Sequence, residues 1–413
     1  MKRSALHFIA GWLAFFVSTL GASAAGPIGD VGEVRETEVI TFLASPAKIL
    51  FLGDSITNSG HYITMLESYF LQEQRELKGL EWINLGLPSE TCTGLSEPSH
   101  PFPRPNVQER LDRALEKVAP DVVVACYGMN DGIYHPFDEE RFAAYQKGIT
   151  TIVTKAKGAG AYVILLTPPP FDPLPMRERG KLVPKDAKDF AWTAIYEDYD
   201  SVIERYANWI LTQKDNVDMV IDIHTPINNV LSERRKSEPH YAMSNDGVHI
   251  DEDGHRVMAD TILRAWGMKP VALDEAIYKQ VGQRQSILHA AWLSHVGHQR
   301  PGVKPGLPLA EAQAKAAGLK GAIQTLAKNE LQLSRFEHLD RKIASLSKDI
   351  HAAQIRLGDH HTRFLFPATE TPVALNAGND LSGWEGDPKF WSVEADRTIR
   401  GANDGVVPSS TYL

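Results

Sequence analysis

Hydrophobic and polar positions along the chain fall into two regimes. From about Ala47 to Met268, short and nearly continuous apolar runs alternate with amphipathic stretches of helical period; the runs are Ile49 to Leu52, Leu80 to Leu85, Asp121 to Tyr127, Ala161 to Thr167 and Val217 to Ile223. Such a run leaves no polar face for water, so each strand is expected to be covered on both sides. The fold class this predicts is α/β, a three-layer parallel sheet with helices on each face. Two long connections interrupt the alternation, Glu90 to Pro105 and Pro168 to Lys188. Long loops at strand ends of such a sheet usually wall a site, although the second could equally be a passive surface loop.

From about Leu273 the pattern turns helical. Gln283 to Val296 is amphipathic, Arg300-Pro301-Gly302 and Lys304-Pro305-Gly306 break it, and Leu309 to Leu357 resumes it. Phe336, Leu339, Ile343, Leu346, Ile350, Ala353 and Leu357 form a heptad seam, which suits packing on the upstream helix or a dimer contact. Beyond about Phe366, Asp380 to Gly386 and Phe390 to Val393 read as short strands separated by turns, fewer than a sandwich needs. The expected organisation is a leader over 1–24, an α/β unit over 46–268, a helical region over 273–358 and the truncated start of a β-sandwich over 366–413.

Composition changes this picture little. The 413 residues are 43% hydrophobic and 23% charged, with a formal net charge of −9. That balance, without a Lys/Arg stripe, argues against nucleic acid as a partner. Lys2 and Arg3, the apolar stretch Ala5 to Leu20 and Ala22-Ser23-Ala24 before Ala25 have the form of a secretory signal, which predicts export; an uncleaved anchor is the competing reading. Cys92 and Cys126 are the two cysteines, open to a disulfide in an exported protein or to two buried thiols.

Candidate chemistry follows the strands. Gly53-Asp54-Ser55 comes after the first run, Gly86 after the second, Gly128-Met129-Asn130-Asp131 after the third, and Asp246-Gly247-Val248-His249 precedes the last helix. Taken singly, Ser55 would be a helix cap and each Gly or Asn an ordinary turn residue. Together and in order they supply a nucleophile (Ser55), a base (His249) with its orienting carboxylate (Asp246), and oxyanion donors (Ser55 N–H, Gly86 N–H and the Asn130 amide). That inventory predicts a serine esterase. His295, His298, His360 and His361 lack a third ligand at a recognisable spacing. Asp131 is expected to hold its turn; Trp292, Trp384 and Trp391 suit sugar stacking or, more commonly, core packing.

These four blocks resemble those of the SGNH, or GDSL-type, hydrolase superfamily, over about Ile49 to Met268. The resemblance implies a flavodoxin-like sheet of order 2-1-3-4-5 and ester hydrolysis without a metal or other cofactor by Ser55, His249 and Asp246, with Ser55, Gly86 and Asn130 as oxyanion hole. Leu375 to Trp384 with Phe390 to Val393 resembles the opening of a 3-keto-disaccharide hydrolase-like domain, which tilts the expected substrate towards acylated carbohydrate. A lipid esterase or lysophospholipase, and a non-catalytic sugar-binding scaffold, are the alternatives. No stable membrane anchor is expected.

Overall fold

A computed structural model describes residues 47–73 and 80–328, helical positions 342 and 348, and two short strands further on. The leader, the heptad seam, and most of the segment resembling a 3-keto-disaccharide hydrolase-like domain lie outside the described residues.

All five apolar runs form strands of one sheet: β1 (Lys48–Gly53), β2 (Glu81–Asn84), β3 (Val122–Cys126), β4 (Tyr162–Leu166) and, after two short strands, β7 (Met219–Ile221). Every pairing is parallel and the spatial order is β2-β1-β3-β4-β7, so among the sheet strands it runs 2-1-3-4-5 as expected. The central strands β1 and β3 are buried almost throughout, the reason their sequences carry no alternation. The two short strands, β5 (Leu182–Val183) in the second long connection and β6 (Ile195–Tyr196) just after it, pair separately.

Crossovers place helices on both faces. After β1 come the five-residue α1 (Ser55–Ser59) and α2 (His61–Gln72); α3 (Val107–Val118) follows β2, and α4 (Glu139–Gly158) follows β3. In α3, Val107, Arg110, Leu111, Ala114, Leu115 and Val118 are buried at three- and four-residue spacing, and Asn106 caps the helix by accepting the Gln108 N–H. Next come α5 (Leu174–Glu178), α6 (Tyr199–Leu211), α7 (His224–Arg234) and α8 (Glu252–Ala265).

The helical region begins as a covering of this α/β core. Helix α9 (Glu275–Val296) packs on α2 and the β2 edge, where Arg284 and Gln285 both bond the buried Glu67. His289 Nε2 donates to the Gly86 carbonyl at 3.0 Å. A further helix, 309–328, packs Ile323 and Ala327 against Leu71, Ile277 and Val281. The Pro-Gly breaks lie between these two helices, where the sequence puts them. Trp292 is core. Beyond residue 333, in a separate unit, β8 (Trp391–Val393) pairs antiparallel with β9 (Ile399–Gly401).

Candidate active site

Ser55 opens α1 at the carboxyl end of β1. Asp54 caps this helix by accepting the Ile56 N–H at 2.9 Å, and Gly60 ends it at φ +71°. With only five residues, α1 presents first-turn N–H groups rather than a long macrodipole. Burial, with Asp131 and Glu90 adding repulsion, pushes the Asp54 carboxyl up to about 7.

The candidate base, His249, lies on the turn between α7 and α8. His249 Nε2 is 2.8 Å from Ser55 Oγ, and its Nδ1 is 2.7 Å from Asp246 Oδ2. Although partial burial opposes it, bonds from the His249 ring and from the His249 and Val248 N–H groups hold the Asp246 carboxyl well below its ordinary range. Asp246 is thus an acceptor only; Nδ1 carries the proton and Nε2 is free to accept the Ser55 hydroxyl proton. Oδ1 of Asp246 receives the His249 and Val248 N–H groups at 2.8 and 2.9 Å, so the turn builds its own orienting carboxylate.

Gly247 is what makes this turn possible. Its φ is +76°, and a Cβ there would lie 2.3 Å from the Asp172 carbonyl. Asp172 in turn donates its N–H to the Gly247 carbonyl at 2.9 Å and accepts from Arg235 at 2.5 Å. The second long connection is therefore docked on the backbone of the base.

Of the three expected oxyanion donors, two face the cleft. Ser55 and Asn130 both line it. Tyr134 donates its hydroxyl to Asn130 Oδ1 at 2.9 Å, and Asn130 Nδ2 donates to the Glu90 carbonyl at 3.2 Å, which fixes the amide and leaves its other N–H free. Gly86 is different: its N–H is donated to Asn84 Oδ1 at 2.8 Å, and it does not line the cleft. A Cβ at Gly86 would lie 2.3 Å from the Asn58 nitrogen, so glycine is required there for close packing on α1. Ser89 occupies the place expected of Gly86. It lines the cleft, its φ is +66°, and among the described residues its N–H meets no acceptor. A left-handed serine costs on the order of 1–3 kcal/mol, a type of strain concentrated at functional sites.

Ser89 is held by its neighbour. Glu90, fully buried, takes a two-pronged ion pair from Arg110 at 2.6 Å and a hydrogen bond from Tyr127 at 2.7 Å; Arg110 also donates to the Leu85 carbonyl at 2.6 Å. Asp131 stabilises its region as expected, accepting the Cys92 and Thr93 N–H groups at 2.8 and 3.1 Å. Cys92 and Cys126 are both buried free thiols.

The cleft encloses about 450 Å³. The first long connection gives it His100, Pro101, Phe102 and Arg104; the second gives Met176, Arg179 and Lys181. Trp192, exposed and just before β6, and Arg300, from the break after α9, complete the wall and carry no motif by which sequence could have marked them.

A hydroxyl hydrogen-bonded to an oriented imidazole, beside unpaired N–H donors, is an arrangement suited to acyl transfer. Residues 51–257 match the GDSL-like Lipase/Acylhydrolase family, and the chain belongs to that family of carboxylic ester hydrolases. Among solved structures, a gut microbial diltiazem-metabolizing enzyme is similar over 54% of this chain at 20% identity with a TM-score of 0.43; this chain spans 47% of that one. A catalytic mutant of an acetylxylan esterase from Geobacillus stearothermophilus is similar over 56% of this chain and 98% of its own, at 20% identity with a TM-score of 0.41. No curated protein matches the sequence at a significant level.

Two stability outcomes follow. Arg110→Ala strands a buried carboxylate and is expected to lose about 3–5 kcal/mol in urea denaturation, much of it recovered by Arg110→Met with Glu90→Gln. Gly247→Ala combines a disfavoured φ with a clash on the Asp172 carbonyl, and is expected to lower stability by at least about 1 kcal/mol in the same assay.

Proposed function

We propose that the protein is an exported serine esterase that removes small acyl groups, chiefly O-acetyl, from carbohydrates. The observation that carries this reading is the continuous relay from Asp246 through His249 to Ser55, opening on a cleft roomy enough for sugar rings. His249 takes the Ser55 proton as Oγ attacks the ester carbonyl, and the imidazolium is stabilised by Asp246. The Ser55 N–H, the Ser89 N–H and the Asn130 amide receive the oxyanion, each such donor being worth about two to three orders of magnitude in rate. His249 then protonates the departing sugar oxygen, and water activated by the same ring releases the acid from the acyl-enzyme. An exposed Trp192 and the nearby Phe102 supply aromatic faces suited to sugar rings, whereas a lipid esterase calls for an aliphatic groove. Export rests on the leader-like first 24 residues.

Acetate release from a panel of acetylated polysaccharides, run with wild type and Ser55→Ala, tests the reading. Ser55→Ala is expected to lower release by at least about three orders of magnitude without altering the thermal melt. Equal release by both proteins would end the assignment.

The pH profile tests the base. His249 must be neutral to accept a proton, so turnover rises with pH through its pKa, which the Asp246 hydrogen bond raises above the ordinary histidine value. Asp246→Asn is expected to move this acid limb to lower pH and cut the plateau rate by roughly three to four orders of magnitude. An unmoved limb would remove Asp246 from its role.

A further inference from the structure

The cleft wall has a charge balance that ester hydrolysis itself does not need. Four cationic side chains line it, Arg104, Arg179, Lys181 and Arg300, against one carboxylate, Asp246, which is engaged by His249. Arg104 is neutralised by a two-pronged pair with the buried Glu97, at 2.6 and 2.7 Å. The other three have no carboxylate partner among the described residues. Arg300 is nonetheless positioned: its Nε donates to the Pro88 carbonyl at 2.8 Å, next to Ser89, and its guanidinium lies 5.2 Å from the Phe102 ring centroid. Arg179 and Lys181 are exposed at the end of α5, on the connection whose Asp172 is locked to Gly247. They therefore sit on the connection that braces the turn carrying His249.

This surplus of three cations belongs to a chain whose formal net charge is −9. Unpaired like charges around a concavity repel one another and raise the local potential, a cost that an anionic ligand removes. Beside them stands Trp192, 48% exposed and the one large hydrophobic side chain so exposed among the described residues. An aromatic face next to cations fits a ring that is apolar on its flat face and charged at its edge.

We propose that the cleft binds acylated sugars that themselves carry a negative charge, a uronate carboxylate or a sulfate ester, with Arg179, Lys181 and Arg300 receiving the anion and Trp192 the ring. This rests on the esterase reading for its reaction but makes a separate statement about binding. The ester to be cleaved sits at Ser55, and the charged group lies on the same or an adjoining ring. Neutral acylated glycans bind without these contacts.

The test is calorimetric binding to the full-length Ser55→Ala protein, with its cations intact. The probes are an O-acetylated oligogalacturonate, its carboxyl-reduced neutral counterpart, an O-acetylated sulfated oligosaccharide and an anionic lysophospholipid. The oligogalacturonate is expected to bind about tenfold or more tightly than its neutral counterpart at low salt, with the margin narrowing as salt rises. Added to Ser55→Ala, Arg179→Gln with Lys181→Gln should bring the two within about twofold, and Arg179→Glu with Lys181→Glu should reverse the order. Tighter binding of the sulfated probe would support the proposal with sulfate as the anion. Equal binding of charged and neutral sugars would overturn it, as would preference for the lysophospholipid over every sugar. Failure of the esterase reading is recognised separately, as equal turnover of a simple aryl acetate by wild type and Ser55→Ala.

Discussion

The buried Glu90–Arg110 pair is the interaction on which the site's geometry depends. Glu90 faces inward from the loop after β2, where an unpaired carboxylate would be strongly destabilising, and Arg110 meets both of its oxygens from the buried face of α3. Arg110 also ties the end of β2 through the Leu85 carbonyl, and Tyr127 reaches Glu90 from the end of β3. β2, α3 and β3, consecutive along the chain, are thereby fixed to one side chain. The backbone of Glu90 passes this rigidity to the chemistry, for its carbonyl holds the Asn130 amide and the residue before it is the left-handed Ser89. Stranding either partner of the pair costs about 3–5 kcal/mol, more than the roughly 1–3 kcal/mol of strain at Ser89, so the loop keeps its left-handed backbone.

His249, the candidate base, has an independent support. Its turn is closed by Asp246, which accepts two backbone N–H groups and the His249 ring, and is braced from outside by the Asp172–Gly247 contact. The same connection carries Met176, Arg179 and Lys181 into the cleft wall. Base and substrate wall therefore share one scaffold, and a shift in one displaces the other. Near Ser55 the protein also buries acids, which at first sight oppose an oxyanion. Burial lifts Asp54 to about 7, which reduces the charge next to Ser55 near neutral pH, while the charge of Asp131 is met by the Cys92 and Thr93 N–H groups.

Much of this was legible from residue order. Continuous apolar runs marked strands because a parallel sheet covered on both faces has no water-facing side, and the observed order 2-1-3-4-5 agrees with what the resemblance of the four blocks implied. Ser55, Asn130, Asp246 and His249 sit at strand ends or in a self-closing turn, so local sequence already placed their chemistry. Gly86 was misread for a physical reason. A glycine after a strand signals close backbone approach, but whether a ligand or another helix makes that approach is settled in three dimensions; here it is α1, and the Gly86 N–H is taken by Asn84. Ser89 gave no signal because its left-handed backbone occurs without glycine.

The sequence alone determined the α/β sheet, the nucleophile, base and carboxylate candidates, and the two long connections as candidate walls, since each follows from local periodicity or from neighbours within a few positions. Tertiary structure alone decided which N–H groups remain unpaired, that the thiols of Cys92 and Cys126 are separate, and that Trp192 and Arg300 face the cleft. Hydrogen-bond saturation and charge balance are properties of groups far apart in the chain. Arg300 and Ser55 are separated by most of the α/β unit and become neighbours along one cleft only after α9 packs against the β2 edge.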